Sequence, residues 1–340
     1  MESLESRNLL ATITVTSLAD NLDTDGQITL REAIQAANSN TSVDGSLAGQ
    51  PGPTVDTIEF DPALTGTVTL GGTRLELSDD VVIQGPGAAA LTISGNDASP
   101  VFFTSGADTD VTLSGLTLAQ GTRGDPGGAA LLNFGANVTL QHSTVSGNTG
   151  EGVFNASGAI TVTDSTFSGN VGQGLYNYIG ATATVSRSTF TDNTYGIQNF
   201  GDLTLSASTI FNNTTGGLSS GIGGDATVTN STISGNGGTG IATGSLIGMA
   251  TNVTVTNSTI VQNESGVIAG NASIVSLFNS IVAGNGGDVA DDIRGGFLNS
   301  ISANNLIGDP SSAGGLVEGT LGNRVGDGSG ALLPLHVILD

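Results

Sequence analysis

The chain has 340 residues, of which only 11% are charged, yet its formal net charge is -23: seven basic residues, all arginine, face 30 carboxylates. That balance leaves nothing to neutralise phosphates and excludes a nucleic-acid-binding surface, while the absence of cysteine excludes disulfides and thiolate zinc sites. No apolar run reaches the roughly 18 residues of a membrane helix, but 37% hydrophobic residues supply a core and 53 glycines supply turns.

In chain order, residues 1–11 precede the first patterned segment, and Thr12–Thr16 alternates as a strand. Residues 12–80 read as an N-terminal cap whose helix spans 29–38: Thr29 and Glu32 form a capping box, Leu30, Ala33, Ile34 and Ala37 make an apolar stripe, and Asn38 is the stop. The helix is expected to plug the open end of the fold. Asn21, Asp23, Asp25, Gln27, Thr29 and Glu32, with Gly26 at the sixth position, match the oxygen spacing of a calcium loop. The capping box competes for Thr29 and Glu32, and a strand rather than a helix precedes Asn21. Residues 39–56 form a polar Gly/Pro loop. Ile58–Phe60, Val68–Leu70, Leu75–Leu77 and Val81–Ile83 are the next strands.

From residue 81 to 308 one phrase repeats, and it ends in a turn asparagine: Asn148, Asn170, Asn193, Asn213, Asn236, Asn263, Asn285 and Asn305, at intervals of 20 to 27 residues. Fainter copies end at Asn96 and Gly121. Eight positions before each asparagine stand Leu140, Val162, Val185, Leu205, Val228, Val255, Leu277 and Phe297; three before stand Val145, Phe167, Phe190, Ile210, Ile233, Ile260 and Val282. A third short strand opens on glycine at Gly152, Gly174, Gly196, Gly217 and Gly240. Three short strands per rung with no helical period predict an all-β, single-stranded parallel β-helix of about ten rungs, on the order of 50 Å long. The asparagines are expected to bond one another up the stack. Residues 309–340 lose the repeat and read as an irregular cap; the apolar run Leu335–Asp340 suggests that the natural protein continues.

The corner column holds His142, Asp164 and Arg187 on successive rungs, then Ala207, Asn230, Asn257, Asn279 and Asn299. Imidazole, carboxylate and guanidinium could serve acid–base catalysis or form a surface charge ladder. The outward columns of the first strand, Thr139 to Ser276 and Gln141 to Phe278, carry no ionisable residue over seven rungs. Hydroxyls alone cannot run general acid–base chemistry. Asp288, Asp291 and Asp292, near Arg294, are a second candidate cation cluster. Arg123-Gly-Asp125 spells an adhesion tripeptide that turn chemistry equally explains.

Thr29-Leu-Arg-Glu-Ala-Ile34, Thr57-Ile-Glu-Phe60, Val82-Ile-Gln-Gly-Pro-Gly87 and Leu91-Thr-Ile-Ser-Gly-Asn96 resemble the CSLREA-domain proteins. These are bacterial surface proteins of the polymorphic outer membrane or choice-of-anchor type, with a right-handed parallel β-helix of the pectin-lyase kind. Ile28-Thr29 stands where that family has Cys-Ser. Asn304–Asp309 resembles their terminal segment, and Leu4-Glu-Ser-Arg-Asn-Leu-Leu-Ala11 is similar to the LEPR-XLL motif of exported bacterial proteins. The resemblance implies an extracellular or cell-surface module, part of a larger exported protein, and brings no catalytic residue.

The expected function is structural, adhesive or glycan-binding, with a polysaccharide or surface ligand as partner. No cofactor is required, and calcium is the one candidate ion. The alternative is a polysaccharide lyase or glycoside hydrolase, and beyond that an ice-binding threonine array.

Overall fold

The computed structural model describes residues 11–123, 127–244, 250–286, 291–296 and 298–333. Among the described residues it is an all-β coil with one α-helix. Every strand pairing within it is parallel, and a typical rung has a first strand (Asp202–Ser206), a second (Thr209–Phe211) and a third (Gly216–Gly221). Second strands stack into a 12-stranded sheet; first and third strands join into one of 19.

The columns expected from the repeat are in register. Val138, Ile160, Ala183, Leu203, Ala226, Val253 and Val275 align, as do Leu140, Val162, Val185, Leu205, Val228, Val255 and Leu277. On the second strand Val145, Phe167, Phe190, Ile210, Ile233, Ile260 and Val282 align. Alternation points these side chains inward, where they form one buried apolar column. Phe167 and Phe190 stack within it at 4.6 Å.

At the N-terminal end, strand Thr12–Val15 pairs with Asp56–Phe60, which pairs with Val81–Gln84, so the first strands continue the same sheet as the repeats. Helix α1 (Leu30–Ser39) lies over them with Leu30, Ala33, Ile34 and Ala37 buried in the common core. The stop is Asn40 in the left-handed region (φ 54°), its N–H donating to Ala37 O. Asn38, expected to end the helix, instead ties it to the sheet: its Nδ2 donates to Glu76 O and its Oδ1 accepts from Ser78 N. At the other end the winding persists beyond Asp309, because Arg324–Val325 pairs with Leu306–Ile307. Residues 4–10 and 334–340, with the motif and the strand expected there, lie outside the described residues.

Candidate functional site

Three polar ladders run up the coil between the apolar columns. In the outer asparagine ladder, Asn148, Asn170, Asn193, Asn213, Asn236 and Asn263 each donate Nδ2 to the Oδ1 of the next, and Asn263 donates to Asn285, at 2.8–3.1 Å. Each Nδ2 also reaches a carbonyl of the rung below, as Asn193 does to Phe167 O. A serine ladder links Ser143, Ser165, Ser188, Ser208, Ser231, Ser258 and Ser280, each backbone N–H donating to the next Oγ. Buried amides and hydroxyls thus satisfy one another.

Glycines hold the outer ladder in place. A Cβ at Gly152, Gly174, Gly196, Gly217, Gly240 or Gly266 would sit within 2.7–3.3 Å of the Nδ2 of the asparagine one rung on. Here glycine supplies close approach rather than an unusual φ. The column ends at Asp292, which occupies the glycine position above Gly266 (Val267 pairs with Ile293). No asparagine stacks there; the carboxylate fills the space, Oδ1 accepting from Asn285 N and Nδ2 and Oδ2 from Asp309 N. The last rung therefore differs from the expected alignment. Asn305 continues the serine ladder, accepting from Ser280 N and donating its own N–H and Nδ2 to Asn323 Oδ1, and the left-handed corner falls on Asn304 (φ 58°), not Asn299. Counting asparagine to asparagine missed this because two columns end in the same residue type.

The catalytic candidates are neighbours at that corner. His142, Asp164 and Arg187 all have φ near 50°. Arg187 Nε and Nη2 hold Asp164 Oδ1 and Oδ2 at 2.8 and 2.9 Å. The guanidinium hydrogen bond holds the Asp164 carboxyl below its usual range, and the two residues form an ion pair at the corner.

Residues of the calcium spacing make local hydrogen bonds. Glu32 is fully buried, and its Oε2 accepts from Thr29 N and Oγ1, completing the capping box. Asn21 donates to Asp23, and Asp25 accepts from Gln27 N. Among the described residues no three carboxylate or imidazole side chains gather into a set that could hold a metal ion. Asp291 pairs with Arg294 at 2.6 Å and accepts from Ser265 Oγ, while Asp292 serves the ladder. Asp288 lies outside the described residues, as do Gly124 and Asp125; Arg123 pairs with Glu151 at 3.0 Å.

The third strand carries a feature the repeat did not reveal. A second, inner asparagine ladder runs Asn133, Asn155, Asn177, Asn199, each Nδ2 donating to the next Oδ1 at 2.8 Å before Asn199 donates to Ser220 Oγ. Because these asparagines point inward, their chain neighbours turn outward. Five of those eight neighbours are aromatic: Phe154 and Tyr176 before, Phe134, Tyr178 and Phe200 after. Phe154 stacks on Tyr176 with centroids 4.9 Å apart; Tyr178 stands edge-on to both at 6.0 Å, and Tyr176 meets Phe200 at 5.6 Å. Tyr178 is 42% exposed and Tyr176 and Phe200 are partly so, while Phe154 is buried, so the rings form a partly open strip over three rungs. Gln173 Nε2 donates to Gln198 Oε1 on the same outward face. A cleft of about 330 Å³ adjoins it, lined by Ile179, Phe200, Asp202 and Ile222 with backbone glycines. Aromatics flanking asparagine at 22-residue spacing were the available signal; they lie outside the S-T-aliphatic phrase that set the alignment.

The family model for the right handed beta helix region matches residues 68–204 and 198–319. The chain belongs to this family. No curated protein matches the sequence of this β-helix at a significant level. Its fold is similar to the A-module of mannuronan C-5 epimerase AlgE4 of Azotobacter vinelandii (16% identity, 84% of this chain and 85% of that one, TM-score 0.61) and to the AlgE6 A-module of the same organism (14%, 90% and 97%, TM-score 0.54). It is also similar to the Dettilon tailspike protein gp208 (13%, 94% and 68%, TM-score 0.58). At these identities the likeness is one of fold.

Burial, then the neighbouring Tyr178 and Glu151, push the Tyr176 phenol of the β-helix above its usual range, so its hydroxyl stays protonated and able to donate. Among the described residues no helix is long and apolar enough to cross a membrane.

Proposed function

We propose that this β-helix is a module of an exported bacterial protein that binds a polysaccharide along its aromatic strip without cleaving it. The observation carrying this reading is the ring cluster of Tyr176, Tyr178 and Phe200, exposed in part, packed on the buried Phe154 and beside paired glutamine amides. Ring faces pack against the apolar faces of sugars, while amides, phenols and an Arg–Glu pair offer donors and acceptors to hydroxyls. Two proteins of similar fold are named for epimerising mannuronan, which supports a polysaccharide as the class of ligand. The Thr29–Ile34 motif supports a place among CSLREA-domain surface proteins.

Affinity electrophoresis of the whole chain through gels containing single polysaccharides tests this. At least one polymer should retard the protein, Tyr178→Ala should weaken the retardation, and no new reducing or unsaturated ends should form. Release of such ends would replace the binding reading with a catalytic one.

A further inference from the structure

The charges around the strip narrow the ligand. A chain that carries a carboxylate or sulfate on its sugars needs cations to meet it, most effectively guanidinium forks. Lysine is absent and the seven basic residues are arginines. Of the six described arginines five close on carboxylates, Arg31 on Asp20, Arg74 on Glu76, Arg123 on Glu151, Arg187 on Asp164 and Arg294 on Asp291, and the sixth, Arg324, sits on the last rung. Arg123 lies beside the strip with Glu151, the two acting oppositely on the Tyr176 phenol. Glu151 is buried, and its Oε2 also accepts from Gly128 N. Freeing Arg123 for an anion would strand that carboxylate without its counter-charge. The cleft at the other end of the strip adds an exposed carboxylate, Asp202. Beyond the contacts, a net charge of -23 repels a polyanion on approach.

We infer that the polysaccharide taken by this strip is uncharged, a polymer of neutral hexoses held by ring stacking and by hydroxyl contacts to the Gln173–Gln198 amides and the Arg123–Glu151 pair. The inference rests on the carbohydrate-binding reading above, and it separates this β-helix from the two epimerase modules of similar fold, since mannuronan bears a carboxylate on every unit. It also makes a statement about salt. Stacking and neutral hydrogen bonds are little screened, whereas binding of a charged chain shifts steeply with ionic strength.

The test is affinity electrophoresis and titration calorimetry of the whole chain against a soluble β-glucan, a galactomannan, mannuronan and polygalacturonate, at low and high sodium chloride. A neutral polymer should bind, with an affinity changing less than about twofold between the two salt conditions. Tyr178→Ala and Tyr176→Ala should each weaken it by about tenfold, the equivalent of one lost aromatic contact. Unchanged melting curves for Tyr178→Ala, whose ring is exposed, certify that the variant is folded. Binding of mannuronan or polygalacturonate that Tyr178→Ala abolishes would overturn the uncharged class while keeping the strip. Neutral-polymer binding indifferent to both tyrosines would overturn the strip as the site. Absence of binding to all four polymers would overturn the carbohydrate reading itself.

Discussion

Asp292 accepts from both the backbone N–H and the side-chain amide of Asn285, the two bonds that every earlier rung of the outer ladder receives from an asparagine. Its other oxygen accepts from Asp309 N, so all of its contacts are donors pointing at it. An asparagine there would set an N–H against the Asp309 N–H. Asp292→Asn is therefore expected to cost about 1–3 kcal/mol in denaturant unfolding near neutral pH.

The same residue gives a pH signature. Burial pushes the Asp292 carboxyl above the ordinary aspartate range despite its hydrogen bonds from Asn285 and Asp309. The folded state then holds that proton more tightly than the unfolded state, so its contribution to stability falls as pH rises from the ordinary aspartate range through the raised value. Asp309 acts oppositely. Burial alone would raise it, but the Ser312 and Ser311 hydroxyls and backbone N–H groups outweigh that and leave it lowered. Its contribution is lost as pH falls through the lowered value. The stability gap between wild type and Asp292→Asn should accordingly widen as pH drops from neutrality toward the ordinary aspartate range; a gap constant with pH would contradict the assignment.

Mid-ladder changes are expected to be severe. Asn193→Ala strips acceptors from Asn170 N and Nδ2 and the donor from Phe167 O, for an expected loss of about 3 kcal/mol. Gly196→Ala drives a methyl into Ile210 and to within 2.8 Å of Gly217 O, for about 1–3 kcal/mol. Urea unfolding of both variants measures this, and a loss under 0.5 kcal/mol in either would refute the ladder account.

One corner can be improved. Ala207 is the alanine in a left-handed column (φ 48°) that continues with Asn230, Asn257 and Asn279, the last two hydrogen-bonded to each other. Alanine pays a Cβ cost there that asparagine offsets locally. Ala207→Asn should stabilise the chain by about 0.5–1 kcal/mol, seen as a higher Tm.

At the N-terminal end, Thr29→Ala removes the cap that Glu32 N donates to and should cost about 1–2 kcal/mol. With Glu32 Oε2 engaged in that cap, melting curves recorded with calcium and with a chelator should coincide; a calcium-dependent rise in Tm would support the metal loop.

The repeat was legible because periodicity is a property of the chain: the inward columns through Val162 and Phe190 and the outer asparagines follow from spacing alone. So was the capping box, which is local. Two things were not. Asp292 reaches the ladder from a glycine position seven residues beyond Asn285, a relation that exists only once the coil is wound. Tyr176 and Phe200 become neighbours for the same reason, although their flanking asparagines were visible in the sequence. His142, Asp164 and Arg187 were correctly brought together, but only the bidentate geometry shows that Asp164 is occupied by Arg187.

Every amide in the outer ladder faces the same way, its N–H pointing toward the later rung. The ladder thus has a head and a tail. A duplicate of residues 171–193 spliced in after Asn193 would find a donor behind it and an acceptor ahead, whereas a unit added beyond Asp292 would meet only oxygens. Such a duplication is expected to fold as a longer rod with a larger urea m-value. Evolution or design can lengthen this molecule from within, and a single carboxylate marks where the outer asparagine ladder stops.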